Sequence, residues 1–148
     1  MAQVSSRVTI YRGAIARINE AAARALEQTA EAVRTDVIQS QVMPFGEDEY
    51  VTDKDANGNE KKYLKRQGGT LQNHSTFIDT KGSKDGYVSI VSSTPYARRL
   101  YYHPEYNFNT LENPNAKGRW LDDYLPGGKK QDMPHKAFAK FMQREAGM

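Results

Sequence analysis

"TFIDTKGSKDGYVSIVSSTPYARRLYY", residues 76–102, decides how this chain folds. Its first part is a β-hairpin in pattern. Thr76, Phe77 and Ile78 face Tyr87 to Val91 across the turn-rich "TKGSKDG", and glycine with small polar residues between two β-type runs marks a reversal. Val88, Ile90 and Ser92 alternate with Ser89, Val91 and Ser93, so one face is expected to be buried and the other half-wet. The pattern then changes. Thr94-Pro95 reads as a hydroxyl cap followed by proline at the first helical position. In the helix it opens, Tyr96, Ala97, Leu100 and Tyr101 fall on one face. Arg98, Arg99 and Tyr102 fall toward another, and Pro104 closes it.

Upstream, residues 13–40 predict one long helix. Ile15, Ile18, Ala22, Ala25, Leu26, Thr29, Ala30, Val33 and Val37 recur at spacings of three and four, with charged residues opposite. Val4 to Tyr11 has β-type alternation ahead of it. The helix must end before Pro44, because proline denies the preceding residue the α region. Downstream, "NFNTLENPNAKG" reads as loop, "RWLDDYL" as a turn or two of helix, and "PGGKKQD" as a flexible break. Residues 132–146 predict a C-terminal helix capped by Asp132, with Ala137, Phe138, Phe141, Met142 and Glu145 in a stripe. The expected fold class is α+β: a long N-terminal helix packed on a small antiparallel sheet, a protruding hairpin, a short helix after the sheet and a C-terminal helix.

The protruding hairpin comes from residues 46–67. A structureless loop of that length is unusual in a compact domain, and Asn57-Gly58 is a strong hairpin turn signal. The first arm is acidic, with Glu47, Asp48, Glu49, Asp53, Asp55 and Glu60 against Lys54 alone. The next residues are basic: Lys61, Lys62, Lys65 and Arg66. Folded back, the arms place opposite charges across the pair. The same "DKDANG" matches half of a calcium loop, but the closing glutamate is replaced by Leu64, and Lys61 and Lys62 stand where ligands belong. The acidic-acidic-lysine pattern of metal-dependent nucleases needs carboxylates on rigid strand ends, which a hairpin tip does not offer. His74 and Ser75 point to opposite faces of a strand and so form no nucleophile pair with Asp79. "GGT" at 68–70 and "PGGKK" at 126–130 lack phosphate-loop spacing and read as turns.

Composition narrows the function classes. With 148 residues the chain suits one domain, and 38% hydrophobic residues leave a lean core. Mean hydropathy is −0.80. The absence of cysteine excludes disulfides, thiolate metal sites and cysteine nucleophiles. No apolar run reaches membrane-spanning length, and "MAQVSSRVTIYRG" has no signal-peptide core, so synthesis in a cytoplasm and no membrane partner are expected. A net charge of +3 is too mild to imply nucleic acid by itself. What stands out is tyrosine and arginine together, the pair enriched at contact surfaces. The candidate contact residues are Thr94, Pro95, Tyr96, Arg98, Arg99, Tyr101, Tyr102 and Trp120. On the inserted hairpin they are Tyr50, Lys61, Lys62, Tyr63, Lys65 and Arg66.

These residues carry a likeness. "SSTPYARRLYYHPEYNFNTLENPNAKGRWLDDYL", 92–125, resembles the signature region of the minor capsid proteins of long-tailed bacteriophages, the neck or tail-completion proteins that join head to tail. "GGTLQNHSTF", 68–77, is similar to the family segment that opens its sheet, and the order of elements is also the family's. The likeness covers residues 60–148, and Phe45 to Gln67 stand as an insertion. It implies a small α+β subunit in a ring, commonly a hexamer, in the virion neck, with no catalysis and no cofactor. It implies a head-completion adaptor on one side, a tail tube or tail terminator protein on the other, and viral DNA passing through the lumen. The alternative from another class is a DNA-binding accessory protein, for which Arg and Tyr would grip phosphate and stack on bases.

Overall fold

Helix α1, Arg12–Gln39, is the longest element. Its alanine-rich sequence favours helix intrinsically, yet one part of it alone finds cover. Ala21, Ala23, Ala25, Thr29, Val33 and Val37 are buried, whereas Ile15 and Ile18 of the first two turns stand in solvent, Ile18 at 53% exposure. A computed structural model describes residues 3–46, 48–66 and 68–147, apart from the Arg66 side chain. After α1 come hairpin strands β1, Glu49–Lys54, and β2, Glu60–Arg66. A single helical turn α2, Thr70–Asn73, is followed by β3, Thr76–Asp79, and β4, Ser89–Ser92. Helix α3, Ala97–Tyr102, and helix α4, Asp132–Ala146, complete the order. The α+β architecture expected from the sequence is the one found, with two separate two-stranded antiparallel sheets.

The core forms where α1 ends. Val33, Val37, Val42, Met43, Leu71, Ala97 and Trp120 make one buried cluster, and Ile90, Tyr96, Leu100, Tyr101, Leu121, Tyr124 and Met133 pack around it. Sheet β3–β4 lies on α1 and is tied to it where Arg34 Nε donates to the Thr76 carbonyl at 2.9 Å. Its register is Thr76↔Ser92, Phe77↔Val91, Ile78↔Ile90 and Asp79↔Ser89. Helix α4 packs along α1 antiparallel. Lys130, just before its start, bonds Asp36 at 2.6 Å, and Glu145 near its end accepts from Arg24 and Gln28 at 2.9 Å each. The stripe read from the sequence is the covered side of α4, although no residue of that helix is fully buried.

Several local expectations are corrected. Val4 to Tyr11 is not a strand. It has no regular secondary structure and is exposed throughout, because a strand needs a neighbour to bond and among the described residues none pairs with it. Helix α3 starts at Ala97, not after Thr94: Ala97 N–H donates to the Thr94 carbonyl. This makes a β-turn with Pro95 in its second position, and the Thr94 hydroxyl caps nothing. Strand β4 begins at Ser89, with Tyr87 and Val88 outside it, because the Tyr87 ring folds over Gly82, where a Cβ would meet it at 2.2 Å. "GGT" is no loose turn. Gly69, at φ +70, starts α2, and a Cβ there would stand 2.5 Å from the Phe45 ring. Asp132 is the first residue of α4 and not its cap, placed where its charge suits the helix dipole. "PGGKKQD" is fastened, since Lys130 bonds Asp36 and Ser40 with its ammonium and the Asp123 carbonyl with its N–H.

Trp120 is 2% exposed and meets Tyr101 edge to face at 4.8 Å. Trp120→Ala is expected to lower unfolding free energy by about 3 to 5 kcal/mol, read by urea denaturation. A loss under about 1 kcal/mol would place the indole outside the core.

Candidate contact surface

Helix α3 has two unlike faces. Ala97 is buried in the cluster that holds Val33, Val37 and Trp120, and Leu100 and Tyr101 are partly covered. Tyr101 donates its hydroxyl to Asp122. Burial, and then that carboxylate, push the Tyr101 phenol well above its ordinary range. The opposite face carries Arg98, Arg99 and Tyr102, all exposed. Tyr102 is 55% exposed, with the Arg119 guanidinium 5.4 Å from its ring centre. Among the described residues neither Arg98 nor Arg99 has an ion-pair or hydrogen-bond partner. Beside Arg99 lies an open cleft of about 320 Å³, lined also by Phe45, Gly69, Tyr96, Leu100 and Phe108. A cation on a rigid helix beside an aromatic-walled cleft can receive a carboxylate or phosphate and cover its apolar neighbours.

Of the sequence-read contact residues, Arg98, Arg99 and Tyr102 stand together at the surface and Pro95 is exposed near them. Thr94, Tyr96 and Tyr101 are half-buried. Trp120 is withdrawn from the surface: it belongs to the core, so its role is to hold the loop and not to meet a partner. The loop before it is anchored by a residue that is not among the candidate contact residues. Asn113 is buried and its amide donates to the Met43 carbonyl and to Gln72 Oε1, both at 2.8 Å. Polar groups taken out of water need such partners.

The inserted hairpin presents a second surface. Tyr50 opposes Leu64, Val51 opposes Tyr63, and Asp53 opposes Lys61. The charge pairing foreseen between its arms occurs at the root, where Lys65 bonds Glu49 at 3.2 Å. Lys62 lies 4.7 Å over the Tyr50 ring. At the tip, Asp55 accepts the N–H groups of Asn57 and Asn59 at 2.9 Å each. These bonds, the one from Asn59 first, hold its carboxyl below the usual range. That carboxylate builds the turn. Tyr50, Tyr63 and Leu64 stay exposed, as do Lys61, Lys62 and Lys65. The side chain of Arg66 and all of Glu47 lie outside the described residues. Among those described, no group of three or more His, Asp or Glu stands close enough to hold a metal ion. No helix is long and apolar enough to cross a membrane.

A third cluster locks the scaffold behind these surfaces. Tyr124 and Lys130 both donate to Asp36. Burial pulls the Asp36 carboxyl upward, but the Lys130 and Tyr124 bonds outweigh it and hold it below its ordinary 3.8. In comparisons with known proteins, no family model, curated protein or solved structure matches this chain.

Because the folded carboxyl titrates below the unfolded one, the Asp36 contribution is fully present above about pH 4 and is lost as pH falls through the lowered folded value. Asp36→Asn is therefore expected to lower Tm at neutral pH, with the gap to the unmodified chain closing below about pH 4. Melting curves across pH 3 to 7 check this. A gap constant over that range would remove the ion pair as its cause.

Proposed function

We propose that this chain is a structural subunit of the head–tail neck of a long-tailed bacteriophage. It assembles as a ring of copies, commonly six, between the head connector and the tail. The observation that carries the reading is the outer face of α3. Arg98 and Arg99 have no partner within the described residues, while the other side of the helix is held to the core. A six-residue helix so fixed cannot turn its cations inward, and it offers them to another molecule. The likeness of residues 92–125 to the minor capsid family points the same way. So do the exposed Tyr50, Tyr63 and Leu64 of the hairpin, which a lone copy leaves wet and a neighbour would cover.

The neighbours in this reading are other copies, a head-completion adaptor, and a tail tube or tail terminator protein, with viral DNA in the lumen. The subunit binds and does no chemistry. A second reading, a DNA-binding accessory protein, draws on the same two unpaired guanidinium groups, which suit phosphate equally well.

Arg98→Ala with Arg99→Ala is expected to leave Tm within about 1 °C, since both side chains are exposed. It is expected to leave heads and tails unjoined in electron micrographs of lysates. Joined particles at normal yield would overturn the neck reading. Tight binding of the purified chain to DNA that weakens steeply with salt, and is abolished by the double variant, would favour the second.

A further inference from the structure

The N-terminal arm and the inserted hairpin are both incomplete. Residues 3–10, "QVSSRVTI", belong to no helix or strand and make no hydrogen bond among the described residues. Val4 is 97% and Val8 84% exposed, and Ile10 is also bare. In an extended chain Val4, Ser6, Val8 and Ile10 share one side, and Arg7, the only charge, takes the other. Among the described residues the hairpin has two strands and no third. A two-stranded hairpin is marginal in water, and a third strand with an apolar face makes it independently stable.

We infer that residues 3–10 of one copy add as a third strand to the open edge of β1 in a second copy. This rests on the ring reading for the presence of neighbours and names the contact between them. Charge chooses the edge. Strand β2 carries Lys61, Lys62 and Lys65, and lysine-rich edges repel added strands, especially one bearing Arg7. Strand β1 carries Glu49 and Asp53 against one cation, Lys54. One antiparallel register meets both demands. Arg7 opposite Asp53 sets Ile10 opposite Tyr50 and Val8 opposite Thr52. Tyr50 and Thr52 share the face of β1–β2 that also carries Leu64, and Asp53 is on the other face with Val51 and Tyr63. The apolar row of the arm thus continues the Tyr50–Leu64 face, and the cation meets the carboxylate behind it.

Length assigns the strand to a neighbour. The arm leaves the start of α1, and the hairpin is reached only after its end. The 28 residues of α1 span about 42 Å, whereas eight extended residues reach about 26 Å. Val42 and Met43, which lead into the hairpin, are buried with Val33 and Val37 at the far end of α1, so the arm is assigned to a neighbour's β1 and not to its own. Arm and hairpin edge are also different patches, so each copy gives to the next and receives from the one before. Such a head-to-tail contact closes into a ring when its rotation allows.

The chain has no cysteine, so introduced thiols report alone. A Val8→Cys chain mixed with a Thr52→Cys chain under mild oxidation is expected to form a covalent dimer on a non-reducing gel, the two Cα atoms of such a pair lying within disulfide reach. Neither variant alone is expected to do so, and the chain carrying both is expected to form a ladder of covalent multimers. Val8→Pro, which removes a donor from the arm without touching the folded body, is expected to reduce assemblies to smaller species in sedimentation. Bonding of Val8→Cys to Ser89→Cys in β4 instead, of Val8→Cys to itself, or within one chain of the double variant would each overturn the inference. So would assemblies that persist in Val8→Pro with no mixed dimer, an outcome that leaves the ring reading standing. An unmodified chain that sediments as a monomer at every concentration would overturn both.

Discussion

The buried cluster that gathers Val33 and Val37 of α1 with Met43, Leu71, Ala97 and Trp120 is the feature on which every other element depends. It joins the end of the long helix, the start of α3 and the far end of a loop of nearly twenty residues at one buried point. With 38% hydrophobic residues the chain can close one such cluster and little more. The rest of the fold is arranged around that limit. Helix α4 lies on α1 as a half-buried cover, held at both ends by ion pairs, Lys130 to Asp36 and Arg24 to Glu145. Burial drives the centre, and charge sets the direction and register of the edges.

The same limit explains what is left uncovered. Ile15 and Ile18 continue the apolar stripe of α1 into the turns where α4 ends, and each stays about half exposed there. Tyr50, Tyr63 and Leu64 are exposed on the hairpin, and Val4, Val8 and Ile10 on the arm. Apolar side chains grouped in this way on three separate elements mark surface intended for contact. Arg98 and Arg99 add cations that the body of the chain does not neutralise. The proposed place in a ring would give this apolar surface the neighbours to cover it.

Much of this was legible in the residues because it was periodic or chemically local. The three-and-four spacing in α1 and α4, the Asn57-Gly58 reversal and the hairpin ending in Ser92 are written in neighbouring residues, and each stands within a residue or two of its expected bounds. Local rules misled where another group, near or distant, took the same atoms. The Thr94 hydroxyl was a reasonable cap, but its carbonyl takes the Ala97 N–H and the helix opens later. "PGGKKQD" has the composition of a tether, yet Lys130 finds Asp36 ninety-four residues away. Trp120 looked like a contact residue because tryptophan is enriched at interfaces, and in this chain the core is its nearest apolar environment.

By itself the sequence determined the long helices and both hairpins, their order, the α+β class, and the division of α3 into an apolar face and a cationic one, since spacing along one chain settles which side chains point the same way. Only the tertiary structure decided that Trp120 and Asn113 hold the interior, that Asp36 gathers Tyr124 and Lys130, and that the arm finds no strand to join. Those outcomes depend on which residues meet across distances of forty to a hundred positions, and no local spacing encodes that meeting. Close packing chooses it, from the few arrangements that bury a lean set of apolar side chains and leave few buried polar groups unbonded.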